Sequence, residues 1–104
     1  MNVSLERRTA VITGAGSGIG RAAVLKFLDA GAAGVVAVDR RPDLVESLRA
    51  ACPAARRERL AGVVGDVSVE ETAREFTRVA LERFGGLDVL INNAAISVVK
   101  PLHE

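Results

Sequence analysis

Thr13-Gly14-Ala15-Gly16-Ser17-Gly18-Ile19-Gly20 is the stretch on which the rest of the chain turns. It follows a short apolar run, Thr9 to Thr13, and leads into Ala23, Phe27 and Ala30 at helical spacing, with Arg21, Lys26 and Asp29 set between them. A buried strand that turns through glycines into a helix offers an anion three things at once. Backbone N–H groups point outward, the positive end of the helix dipole lies behind them, and no side chains block the approach. Strict G-x-G-x-x-G spacing fails, because Ile19 stands where the third glycine would fall when counted from Gly14 and Gly16. A phosphate-loop ATPase pattern fails too, since no Gly-Lys-Ser/Thr follows. The plain alternative is a glycine-rich turn that binds nothing.

Outward from this loop, strand and helix signals alternate. Gly31 stops the first helix. Gly34 to Asp39 is a continuous apolar run closing on an acid, and Pro42 then suits a first helical position ahead of Leu44, Val45 and Leu48. Residues 60–65 read as a third strand, preceded by a solvated loop at Arg56-Arg57-Glu58-Arg59. Ser68 with Glu71 three residues on forms a capping-box pattern, and Val69, Ala73, Phe76, Ala80 and Phe84 line one helical face. Gly85-Gly86 ends that helix. A fourth apolar run, residues 87–91, closes on Asn92-Asn93.

Strands apolar on both faces, alternating with helices, predict an α/β fold: a partial doubly wound Rossmann fold, with a parallel sheet flanked by helices on both sides. In such sheets ligands sit off the carboxyl ends of the strands. The glycine cluster, Asp39, Asp66 and Asn92-Asn93 all fall at those ends.

Composition narrows the partners. The chain has 104 residues, 49% of them hydrophobic and 26% charged, which is the balance of a core-forming globular protein within one domain. Its 14 basic and 13 acidic residues are mixed along the sequence for a net charge of +1, so neither nucleic acid nor an anionic membrane is an expected partner. A small molecule is. Cys52 is the only cysteine, which leaves no internal disulfide and suits a reducing compartment. The apolar run after Glu6, Arg7 and Arg8 is too short for a secretory or membrane segment, so a cytoplasmic location is expected.

The T-G-x-x-x-G-I-G string at Thr13 to Gly20 resembles the cofactor loop of the short-chain dehydrogenase/reductase family, and the likeness extends over nearly the whole chain. Residues 1–104 are on this reading the N-terminal part of a single NAD(P)-binding Rossmann domain. The resemblance implies that Gly14, Ser17, Gly18, Ile19 and Gly20 hold a dinucleotide. Asp39, about twenty residues beyond the loop, accepts hydrogen bonds from the adenosine ribose in such folds and repels a 2′-phosphate, which favours NAD over NADP. Ser17 agrees, because family members preferring the phosphorylated cofactor often carry a basic residue there. Against it, Arg40 and Arg41 could clasp a phosphate if Asp39 turned away. Asp66 and Val67 look like the pair that meets adenine, with an ordinary turn Asp before a helix cap as the alternative. Asn92-Asn93-Ala94-Ala95 is similar to the family's Asn-Asn-Ala-Gly segment, where Asn92 and Ala94 border the nicotinamide ribose and an Asn ties neighbouring strands. Ala95 departs from the usual Gly.

The family's chemistry needs an acid–base group, implied by resemblance to be a Tyr-x-x-x-Lys pair with a Ser and a further Asn. The sequence contains no Tyr. Lys100 and His103 read as solvated, and Ser97 lies too early to match the catalytic Ser. The expected function is therefore the cofactor-binding portion of an NAD-dependent alcohol dehydrogenase or ketone reductase, with a small alcohol or carbonyl substrate and homo-oligomer formation belonging to a longer protein. Two other readings stand beside it: a non-catalytic dinucleotide-binding fragment, and an NADP-linked carbonyl or acyl-thioester reductase. Residues 87–91, open on one side, are further expected to leave the isolated chain marginally folded and prone to aggregate.

Overall fold

The computed structural model describes residues 5–93. Along these, strand β1 (Thr9–Thr13) is followed by helix α1 (Gly18–Asp29), β2 (Gly34–Asp39), α2 (Pro42–Ala51), a 3-10 turn (Ala54–Arg59), β3 (Leu60–Val64), α3 (Glu70–Phe84) and β4 (Val89–Asn92). The four strands form one parallel sheet in the order β3-β2-β1-β4. The first two crossovers move outward from β1 with their helices on one face. The third returns across β1 with its helix on the other face, and reversing both direction and face preserves the hand that parallel crossovers favour.

The period of two along β2 divides the core. Val35 and Ala37 face Ile12, Val24, Leu28, Leu48 and Leu60 under α1 and α2, whereas Val36 and Val38 face Val11, Ala61, Val63, Phe76 and Ala80 under α3. A strand buried on both faces has no polar alternation to show, which explains why these strands read as continuous apolar runs. The reversal of strand order falls between β1 and β4, and it is off the carboxyl ends at such a switch point that sheets of this kind bind ligands.

Three local expectations are corrected. Residues 56–59 belong to the 3-10 turn rather than an open loop. Their arginines act as caps: Arg57 Nε donates to the Cys52 carbonyl at 3.1 Å, and Arg59 Nη1 donates to the Ala32 carbonyl at 2.6 Å. The Ser68–Glu71 capping box does not form. Val69 is the N-cap of α3 without a side-chain bond, and the Ser68 hydroxyl turns back to Asp66 Oδ1 at 2.7 Å. Val69 is consequently exposed instead of lining the buried face. Last, β4 begins at Val89, because Asp88 is used to tie its own end of the sheet: Thr9 N–H donates to Asp88 Oδ2 and Asp88 N–H donates to the Thr9 carbonyl, both at 2.9 Å.

Gly34 opens β2 beneath the Phe84 ring, where an added Cβ would lie 2.2 Å from Cγ. Gly34→Ala is therefore expected to destabilise the chain by about 1–3 kcal/mol, the usual cost of overpacking. Urea unfolding measures it. Pairing the change with Phe84→Leu should recover part of the loss, a non-additivity that two independent sites would not give.

Candidate functional site

The glycine loop is shaped by its neighbours at the sheet's carboxyl edge. Gly14 leaves β1 with φ 61° and Gly18 opens α1 with φ 58°, both in the left-handed region that side chains disfavour. Between them, Ala15 N–H donates to the Val38 carbonyl at 3.1 Å and Gly16 N–H donates to Asp39 Oδ2 at 2.8 Å. The loop thus leans on the end of β2. A Cβ on Gly16 would lie 2.3 Å from Leu44 Cβ and 2.9 Å from that same carboxylate oxygen, so no side chain fits there.

This geometry revises which amides face outward. The sequence offers an anion the backbone N–H groups of the glycine turn, but the Gly16 amide is spent on Asp39. The first-turn N–H groups of Gly18, Ile19 and Gly20 are those that helix geometry leaves without intrahelical partners. Ser17, the N-cap, makes no side-chain capping bond to them. The Ile19 side chain is 79% exposed, and a Cβ on Gly18 would meet nothing within 4 Å, so the approach to this turn is open. Gly20 is buried on the other side, where an added Cβ would lie 2.1 Å from the Gly14 carbonyl oxygen. Its lack of a side chain is what lets α1 sit this close to β1.

Asp39, at the end of β2, is held by two backbone donors. Gly16 N–H reaches Oδ2, and Arg41 N–H reaches Oδ1 at 3.1 Å. Each oxygen keeps a further lone pair for a ligand. Of the two arginines that follow, Arg41 is engaged with a carboxylate. Arg41 forks onto Asp43, Nε to Oδ1 at 3.2 Å and Nη2 to Oδ2 at 2.8 Å, and holds the Asp43 carboxyl below the usual carboxylate range. Arg40 acts on Asp66 through its charge.

Asp66 closes a short turn after β3. Its Oδ1 accepts the Ser68 N–H at 2.9 Å and the Ser68 hydroxyl at 2.7 Å. The backbone bond from Ser68 and then its hydroxyl hold the Asp66 carboxyl below its ordinary value, with Arg40 adding to them. Because the native value is depressed, the turn's stabilisation is present above the unfolded carboxylate pKa of about 3.9 and is lost as pH falls through the lower native value. Carboxyl titration by NMR should find Asp66 titrating below that reference, and Ser68→Ala should move it upward. Val67, next to it, packs half-buried against the α3 side of the core.

At the end of β4 the two asparagines are tied to the end of β1. The buried Thr13 hydroxyl donates to Asn92 Oδ1 at 2.9 Å and accepts the Asn93 N–H at 2.9 Å, while Asn93 Nδ2 donates to the Gly14 carbonyl at 3.4 Å. Asn92, expected at the cofactor, has one side-chain oxygen committed to Thr13. Nothing local in the sequence marks Thr13 for this role, although a polar residue closing an apolar strand must find partners once buried. Ala94 lies outside the described residues.

The structure brings the loop, Asp39 and the Asn92-Asn93 pair together at the carboxyl edge of the sheet, with Asp66 farther along the same edge after β3. Among the described residues no group of three or more His, Cys, Asp or Glu gathers as a metal site, and no helix is long and apolar enough to cross a membrane.

A protein-family model described as short chain dehydrogenase matches residues 8–104. An L-xylulose reductase of Mesocricetus auratus is 40% identical over 104 residues, 100% of this chain and 38% of that protein. A farnesol dehydrogenase of Aedes aegypti is 44% identical over 89 residues, 86% of this chain and 36% of that protein. Among solved structures, the apo-form glucose dehydrogenase of Caenorhabditis elegans superposes with a TM-score of 0.80 at 33% identity, covering 88% of this chain and 39% of that one. A short-chain dehydrogenase/reductase of Brucella melitensis gives a TM-score of 0.76 at 37% identity, covering 86% and 37%. The chain thus spans well under half the length of these proteins.

Proposed function

Because the chain belongs to the short-chain dehydrogenase family, we propose that it is the dinucleotide-binding portion of an oxidoreductase that uses NAD and acts on a small alcohol or ketone. The observation that carries this reading is the bond from Gly16 N–H to Asp39 Oδ2 at 2.8 Å, which joins the glycine turn and a carboxylate at one edge of the sheet. A pyrophosphate suits the turn, whose open amides and helix dipole match a diffuse negative charge. A diol such as an unmodified ribose suits Asp39, whose remaining lone pairs accept two hydroxyl donors.

On this reading Gly14, Ser17, Gly18, Ile19 and Gly20 cradle the pyrophosphate, Asp39 holds the adenosine ribose, and Asp66 with Val67 borders the adenine. Asn92 and Ala94 border the nicotinamide ribose, with Thr13 and Asn93 bracing the floor beneath. When bound, the nicotinamide takes or gives the hydride that interconverts an alcohol and a carbonyl. The chain's own contribution is to fix that group's position and to keep side chains out of the turn. No tyrosine occurs in these 104 residues, so the acid–base pair implied by the family resemblance is not among them. The substrates named for the relatives differ, and the substrate stays at the level of an alcohol or carbonyl compound.

Calorimetric titration with NAD and NADP tests the reading. NAD is expected to bind the more tightly; binding of neither would overturn it. Asp39→Ala should weaken NAD by about tenfold, the value of hydrogen bonds to a charged acceptor, while NADP, relieved of the repulsion, gains relative to it.

A further inference from the structure

Two arginines follow Asp39 directly, and a guanidinium fork is the side chain best shaped for a phosphate. A chain that prefers an unmodified ribose must therefore keep those forks from a 2′-phosphate. We propose that Asp43 is a specificity-determining residue that does this by holding Arg41. The inference rests on the reading above, that the adenosine ribose sits at Asp39.

Three observations carry it. Arg41 N–H donates to Asp39 Oδ1 at 3.1 Å, so the Arg41 backbone is anchored beside the carboxylate that would meet the ribose. From that anchor its side chain runs to Asp43, with both Nε and Nη2 engaged by the two carboxylate oxygens at 3.2 and 2.8 Å. Asp43 lies in the first turn of α2, where the helix dipole favours its negative charge and keeps it ionised beside the arginine. Arg40, the other candidate, is not held by Asp43, and its charge is the last of the influences that lower the Asp66 carboxyl. Asp39, Asp43 and Asp66 thus outnumber Arg40 and Arg41 along this edge, and a 2′-phosphate would have to compete with Asp43 for the Arg41 fork.

The Arg41–Asp43 pair is exposed, with side-chain accessibilities of 66% and 62%, so its hold is modest. Asp43 therefore adds a few-fold to a discrimination that Asp39 dominates.

The test compares NAD and NADP dissociation constants in the intact protein for the parent, Asp43→Asn, Arg41→Gln and the double variant. Asp43→Asn is expected to raise NADP affinity relative to NAD about fivefold, the scale of an exposed ion pair. The same change in the Arg41→Gln background should give no gain, because no fork remains to be released. An unchanged ratio in Asp43→Asn would overturn the proposal. So would a gain that persists without Arg41, which would make Asp43 a bare repelling charge. Failure of the parent to bind either dinucleotide would instead refute the underlying reading, and the two failures are read from different proteins.

Discussion

Gly20→Ala is expected to abolish measurable dinucleotide binding while lowering stability by about 1–3 kcal/mol, the cost of forcing a methyl into a filled contact. The added Cβ would stand 2.1 Å from the Gly14 carbonyl oxygen and 3.0 Å from Asn93 Nδ2. The Gly14 carbonyl cannot yield easily, since Gly14 follows directly from β1, and Asn93 Nδ2 itself donates to that carbonyl at 3.4 Å. Ordinary C···O contacts run at about 3.3–3.6 Å, so α1 would have to withdraw by roughly 1 Å. Alanine also favours a helix over glycine by about 1 kcal/mol, which offsets part of the strain without removing it. The withdrawal carries the first-turn amides of Gly18 and Ile19 with it, and binding suffers more than folding. Calorimetry and urea unfolding on the same variant separate the two losses. Parental NAD affinity in Gly20→Ala would refute the close approach of α1 to β1.

Thr13→Val should cost about 1–3 kcal/mol, because the near-isosteric valine fills the space but leaves the Asn93 N–H and Asn92 Oδ1 without their buried partner. Valine's preference for strands recovers less than this. The loss is local in character. β4 pairs only with β1 among the described strands, and Leu90 on it is 51% exposed, so the bonds at Thr13 are a large share of what holds its carboxyl end. Amide exchange in β4 is expected to accelerate before that in β2. Uniform acceleration across the sheet would show that Thr13 stabilises the fold globally and is no local clasp.

Most of the architecture is legible in the sequence because parallel strands announce themselves as unbroken apolar runs and the helices between them carry a one-sided stripe. The fold class, the order of elements and the placing of Asp39 at a strand end follow from that alone. What escapes is whatever depends on a partner distant in sequence. Ser68 has the spacing of a capping residue, yet Asp66 two positions earlier captures its hydroxyl, and a local pattern cannot rank two local partners. Residues 56–59 show no period because their arginines answer to carbonyls at Ala32, Ala50 and Cys52. In the site, Gly16 reads as one more open amide until Asp39 folds against it. Thr13 reads as the last residue of a strand until the asparagines of β4 arrive beside it. Asp43 is invisible as anything beyond an acid in a first helical turn, a placement the helix dipole already explains.

The central claim, that a dinucleotide binds at the turn between β1 and α1 and against Asp39, is tested most directly by amide NMR of the chain titrated with NAD. Saturable shifts are expected at Gly14, Gly16, Ser17, Gly18, Ile19, Gly20 and Asp39, with smaller changes at Asn92 and Asn93. Shifts confined to other surfaces, or none at saturating NAD, would contradict it.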